Sequence, residues 1–343
     1  MPGRLPIVEF RGVTKRFPAT RDSGEVVAVE NLSFVIEQKE TSPDRSCGEF
    51  VVLLGPSGCG KSTILSLIAG LALPDSGEVR VFNELVTGPH QHSATVPQAY
   101  TCFPWLNAVR NVEFGLRLQG MAESARRKVA MQYLAKVDLA GFANAYHRQL
   151  SGGMQQRVAI ARTLALKRPV ILMDEPFGAL DAQTRAEMQQ MLLQLWEEER
   201  NTVIFVTHDI TEALLLADRI VVFSPRPASI IHDMEVPFPF ERPPGIVHEP
   251  EFVRCSEELR QLLRKHRPDQ EAFAPPPGVG LARVNMRLKS PASVPKGDPL
   301  PGEAQATAGP TFVRGGTAER SHSQSEAARP GGWLSKVMRL FVR

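Results

Sequence analysis

Gly55, Pro56, Ser57, Gly58, Cys59, Gly60, Lys61, Ser62 and Thr63 run consecutively and satisfy the pattern G-x-x-x-x-G-K-[ST]. Glycines let such a loop curl until successive backbone N–H groups face one anion, and a helix starting at its end adds the positive end of its dipole. Lys61 is then placed to reach the β- and γ-phosphates of a nucleotide, and the Ser62 hydroxyl to ligate Mg²⁺. Cys59 reads as a small residue tolerated in the loop. A nucleophilic or redox role would need a lowered pKa, for which only Lys61 and the helix dipole offer a cause.

Two further groups suit the same chemistry. Val170, Ile171, Leu172 and Met173 lead into Asp174 and Glu175, an apolar strand ending in two carboxylates. At the carboxyl edge of a sheet, beside the phosphate loop, Asp174 would hold Mg²⁺ through its water shell. Glu175 would orient the attacking water and accept its proton. In Leu150-Ser151-Gly152-Gly153-Met154-Gln155-Gln156-Arg157, a serine and two glycines open a helical run to about residue 166. That is a second helix N-terminus able to face a phosphate. One nucleotide cannot easily use two distant phosphate surfaces of one chain. A head-to-tail pair, with Ser151, Gly152 and Gly153 capping the γ-phosphate held by the partner's loop, is the simplest solution.

The elements that position these groups follow from the hydrophobic pattern. Residues 7–10, 28–36 and 49–54 read as strands, and the last runs unbroken into the glycine loop. A helix is predicted over 61–70, and strands over 170–175 and 202–207 each precede a helical stretch. This βαβ rhythm predicts an α/β fold with a mainly parallel sheet covered on both faces. Residues 109–166 are largely helical in pattern, so an α-helical subdomain, about 99–166, is inserted into the core.

At 43% hydrophobic and 22% charged residues the composition is that of an ordinary soluble globular protein. Residues 267–343 hold 11 Lys and Arg against 6 Asp and Glu, which leaves 29 against 31 in residues 1–266. A nearly neutral body gives no support to nucleic-acid binding, which would show as a basic excess. The four cysteines have no metal-ligand spacing and form no disulfide framework. No apolar run approaches the ~18 to 20 residues of a membrane span. The last 77 residues carry 10 Pro and 9 Gly. Residues 267–330 therefore read as a disordered tail that cannot offset the entropy of its own ordering. Within 331–343, Trp333, Leu334, Val337, Met338 and Phe341 share one helical face and Lys336, Arg339 and Arg343 another. This is the pattern of a short interfacial helix or of a frayed terminus.

Taken together, these residues resemble the ATP-binding cassette (ABC) family over roughly residues 7–266. The motifs follow the family's order: GPSGCGKST, then Gln98, LSGGMQQR, ILMDEP, ALD ending at Asp181, and VTHD containing His208. The resemblance implies a P-loop NTPase core with an antiparallel β subdomain and a helical subdomain, in a cassette spanning 1–266. It also implies that Gln98 senses the γ-phosphate and metal and links to a transmembrane partner. By the same likeness Asp181 lies on the loop that crosses the dimer interface, His208 hydrogen-bonds the γ-phosphate, and Phe17 stacks on adenine. Gln98 through Phe103, Pro104, Trp105 and Leu106 looks like the form found in importers for nitrate, sulfonates and taurine. There the surrounding helices receive a coupling helix of the permease. Residues 250–263 look like the closing helix of that subgroup.

Three features depart from the family pattern. Residues 38–47 add about ten polar residues where a tight turn is usual, which lengthens a surface hairpin. Pro97 stands where an aromatic is usual, and residues beyond His266 have no family counterpart. The function implied is an ATPase subunit bound to the inner face of the cell membrane. It would use ATP and Mg²⁺, pair with itself or a similar subunit, and drive a separate permease that a solute-binding protein supplies. The non-transport relatives carry long coiled coils, zinc modules or two cassettes, none of which this sequence has. An exporter is opposed by the importer-like residues around Trp105.

Overall fold

In chain order the computed structural model begins with β1 (Pro6–Phe17) and β2 (Val26–Glu37), the hairpin β3 (Lys39–Ser42) and β4 (Arg45–Cys47), β5 (Phe50–Leu54) and α1 (Lys61–Ile68). Then come β6 (Ser76–Val81), β7 (Glu84–Leu85), β8 (Ser93–Val96), α2 (Ala108–Leu118), α3 (Glu123–Lys136), α4 (Gly152–Leu164) and β9 (Val170–Asp174). The rest is α5 (Ala182–Glu199), β10 (Thr202–Thr207), α6 (Ile210–Leu216), β11 (Arg219–Phe223), β12 (Ile230–Glu235) and α7 (Pro250–Lys265). The structure describes residues 5–18, 25–42, 45–98, 102–239 and 242–266. The readings made for 267–330 and 331–343 lie outside them.

A six-stranded sheet has the order β12-β11-β5-β10-β9-β8, with every pair parallel except β11 with β12. Its inner strands are buried on both faces, which is why they read as unbroken apolar runs rather than as alternation. Val51 and Leu53 of β5 point into one core, shared with α1 and a second sheet. Phe50, Val52 and Leu54 point into the other, shared with the helices. The second sheet is antiparallel, in the order β2-β1-β6-β7. Its strand β1 runs well past the predicted 7–10. The later half is polar and passes through register shifts against both neighbours, which removes the alternation a sequence reader looks for. Within the residues inserted at 38–47, β3 and β4 pair as an antiparallel ladder.

Between β8 and β9 the chain leaves the sheet for α2, α3 and α4, the helical insertion. Three helices that matter below begin on short polar caps. Ser151 accepts from the Met154 N–H at α4, Asp181 from Thr184 at α5, and Asp209 from Thr211 and Glu212 at α6. Among the described residues, no helix is long and apolar enough to cross a membrane.

Candidate nucleotide site

The parallel register decides where the chemistry collects. Leu54 at the end of β5 lies opposite Thr207 of β10, and Val206 lies opposite Asp174 of β9. The residues after each strand therefore emerge at one carboxyl edge: the glycine loop, Glu175 and His208.

In the loop, Gly58 has φ 75° and Gly60 φ 121°, backbone that a side chain would strain. At Gly60 a Cβ would also lie 2.6 Å from the Ala28 carbonyl oxygen. Lys61 is buried, and its Nζ donates to the carbonyls of Gly55 at 2.7 Å and Pro56 at 2.9 Å, with Cys59 Sγ at 3.7 Å. The ammonium is thus held over the mouth of the loop by the loop's own carbonyls. Cys59 is buried beneath it as a free thiol.

Ser62, in the first turn of α1, donates its hydroxyl to Asp174 Oδ1 at 2.9 Å. Burial pushes the Asp174 carboxyl above the usual carboxylate range, and the Glu175 charge adds to this. The Ser62 hydrogen bond and the Lys61 ammonium oppose it. Glu175 sits in the left-handed region at φ 41°, held by its N–H donating to the Val206 carbonyl at 3.1 Å and its carbonyl accepting from Gly178 at 3.2 Å. Its two carboxylate oxygens are divided. Oε1 lies 3.2 Å from His208 Nδ1, and Oε2 accepts from Gln98 Nε2 at 3.4 Å. Gln98, Glu175 and His208 are therefore drawn together from the ends of β8, β9 and β10.

Phe17 ends β1 and is 41% exposed, with the Lys15 ammonium 5.7 Å from its ring centroid. Ser151, Gly152, Gly153 and Asp181 form a separate group. Among the described residues no hydrogen bond joins them to the glycine loop. They are joined to one another through Thr184: its hydroxyl donates to Asp181 Oδ2 at 2.8 Å, and its Cγ2 lies 2.8 Å from where a Cβ on Gly153 would be. These Thr184 hydrogen bonds hold the Asp181 carboxyl below its usual range.

Sequence reasoning missed two contributors. Asn111, buried in α2, accepts from the Phe103 N–H at 2.7 Å and donates to the carbonyls of Leu106 and Asn107 at 3.0 Å each, so it clamps the loop that carries Trp105. Phe103 packs on Phe114 at 4.7 Å and on the Arg162 guanidinium at 5.0 Å, while Trp105 remains 61% exposed. The second is Arg226, whose Nε donates to the Gly58 carbonyl at 2.8 Å. Its only signal in the sequence is a cation between two prolines, and that has no address until β11 is set beside β5.

A phosphate loop closing a parallel strand, a serine–aspartate pair at its mouth and a carboxylate at the same edge define a P-loop nucleoside triphosphatase. Residues 39–178 match the ABC transporter family. A nitrate import ATP-binding protein of Synechocystis sp. is 45% identical over 73% of this chain and 94% of its own. A taurine import ATP-binding protein of Chromobacterium violaceum is 48% identical over 66% of this chain and 88% of its own. The dimeric structure of an ATP-binding cassette in a post-hydrolysis state, bound to ADP and Pi, is also similar. It has a TM-score of 0.57 at 35% identity, over 67% of this chain and 99% of that one. The chain belongs to the ABC transporter family and is an ATP-binding, ATP-hydrolysing subunit of it.

Proposed function

We propose that the chain, through a cassette spanning 1–266, powers a multi-subunit importer for a small anion of the nitrate, taurine or sulfonate kind. The convergence of Lys61, the Ser62–Asp174 pair and Glu175 with its two neighbours at one sheet edge carries the hydrolytic part of this reading. The direction of transport and the solute class are supported by the names of relatives above 40% identity. In this reading Lys61 and the loop N–H groups hold the phosphates and Phe17 stacks on the adenine. Glu175 takes the proton of the attacking water, with His208 and Gln98 setting its orientation and sensing the γ-phosphate. The hydroxyl of Ser62 and the carboxylate of Asp174 are hard oxygen donors, and the Gln98 amide oxygen is a third candidate. They suit Mg²⁺, which takes few protein ligands and keeps water and phosphate oxygens for the rest. When bound, that ion neutralises charge on the phosphates.

Ser151, Gly152, Gly153 and Asp181 then serve the nucleotide of a partner subunit across a two-fold interface. The subunit works peripherally at the cytoplasmic face of the inner membrane on a separate permease, which a solute-binding protein loads. The test is ATP-dependent uptake of labelled nitrate, taurine and an alkanesulfonate in cells carrying the native permease, with the wild-type subunit and with Glu175→Gln. Uptake of one solute that disappears in the variant is the expected result. Entry of none of the three with the wild-type subunit counts against the solute class, and uptake unaffected by the substitution counts against the site.

A further inference from the structure

Each of the three glycines of the phosphate loop is faced by a residue of one segment, the end of β11 and the turn that follows it. The Phe223 carbonyl oxygen lies 3.0 Å from where a Cβ on Gly55 would sit. Arg226 Nε donates to the Gly58 carbonyl at 2.8 Å, and the Ala228 methyl lies 3.1 Å from a Cβ position on Gly60. The turn is internally tied. The Ser224 N–H donates to the Ser229 carbonyl at 2.9 Å, and the Ser229 N–H returns to Ser224 Oγ at 3.1 Å. The Ala228 N–H donates at 3.0 Å to the Ala28 carbonyl, the same oxygen that walls in Gly60. A rigid turn thus lies against the outer side of the loop, and Arg226 supplies its charged contact.

We propose that Arg226 is a positioning residue of the nucleotide site, fixing the peptide between Gly58 and Cys59 so that the Cys59 N–H faces the phosphates. The inference rests on reading Gly55 to Thr63 as the phosphate site. In a trans peptide the C=O and the following N–H point in opposite directions, so a cation anchored on the Gly58 oxygen sets where the Cys59 N–H points. The guanidinium also polarises that peptide and leaves its N–H a stronger donor. Gly58 has no side chain to hold the plane, and at φ 75° it occupies a region from which glycine moves freely. Among the described residues the Cys59 N–H donates to the Pro56 carbonyl alone, at 3.3 Å, a long bond that a phosphate oxygen readily replaces. With Arg226 removed, the plane is free to turn its carbonyl inward, toward an anion.

The experiment uses the full-length chain and its Arg226→Ala, Arg226→Gln and Arg226→Lys variants. Dissociation constants for ATP and for ADP are measured by calorimetry, and KM and kcat by phosphate release. Arg226→Ala is expected to weaken ATP and ADP by the same factor, roughly three- to tenfold, with KM rising in step and kcat at saturation held within about twofold. Lysine keeps a cationic donor and recovers most of the affinity; glutamine keeps a neutral donor and recovers less. Unchanged affinity in the alanine variant overturns the proposal, as does weakening of ATP with ADP unaffected, which would mark a direct γ-phosphate contact. Should the alanine variant fail to fold, wild-type affinity in Arg226→Gln overturns it equally. Lys61→Ala separates the two levels: if it binds ATP normally, the site reading itself fails.

Discussion

In the proposed reaction Glu175 is the base, the heaviest chemical demand on a single residue, and its surroundings suit that role. A non-glycine residue at positive φ costs on the order of 1–3 kcal/mol, which here is sustained by two backbone hydrogen bonds that leave the side chain aimed at the site. Glutamine has the same shape and still offers a carbonyl and an amide to His208 and Gln98, but it cannot take a proton at this pH. Glu175→Gln is therefore expected to keep ATP affinity while phosphate release falls about 10²- to 10³-fold, measured by calorimetry and by a coupled phosphate assay. Hydrolysis at the wild-type rate would remove Glu175 as the base. An apolar strand ending in two acids was legible because residue type and strand end coincide in the sequence. The approach of Ser62 to Asp174 was legible as a shared Mg²⁺ site, but their direct hydrogen bond, across 112 positions, and the left-handed backbone at Glu175 were not, since no local pattern reports either.

At the scale of elements, the start of α4 rests on the start of α5. Gly153 read as one of two glycines exposing N–H groups, and the packing adds a steric reason for it. A Cβ there would lie 2.8 Å from Thr184 Cγ2, and the β-branched Thr184 is held by its hydroxyl on Asp181. Two effects compete in Gly153→Ala. Helix propensity returns about 0.5–1 kcal/mol, whereas overpacking costs about 1–3 kcal/mol, so the clash should win. The variant is expected to unfold at lower urea than wild type. Adding Thr184→Ser, which removes the offending methyl and keeps the hydroxyl, should restore the midpoint. A double variant no better than the single one would show that the contact is not the cause. The cap Ser151 was visible as a residue type at a helix start, whereas Asp181 was placed only by family likeness, on a loop crossing the dimer interface. Their mutual approach was not visible, because no local pattern reports which two helices touch. The same holds for β1, whose polar second half pairs with two strands and shows no alternation.

The whole molecule poses a geometric question that one chain leaves open. The glycine loop is packed against the β11–β12 turn, while the Ser151 helix start is packed against α5, and among the described residues no hydrogen bond joins the two. The proposed two-fold pair would give both a common ligand, with each nucleotide taking the loop of one subunit and the Ser151 end of the other. Cassettes solved as dimers are 35% identical to this chain at TM-scores of 0.57 and 0.56, which is the precedent for such a pair. If closure depends on that apposition, Glu175→Gln with ATP should run at twice the monomer mass by light scattering, since binding persists and hydrolysis cannot reopen the pair. Adding Ser151→Arg puts a long side chain into the interface and should return the protein to monomer without abolishing ATP binding to each chain. Loss of the α4 cap alone costs about 1 kcal/mol and must be separated from the steric effect. Ser151→Ala in the same background provides that control and should dimerise more readily than the arginine variant. A Ser151→Arg protein that still dimerises fully on ATP would mean that the nucleotides lie elsewhere than between the Lys61 loop of one subunit and the Ser151 helix of the other.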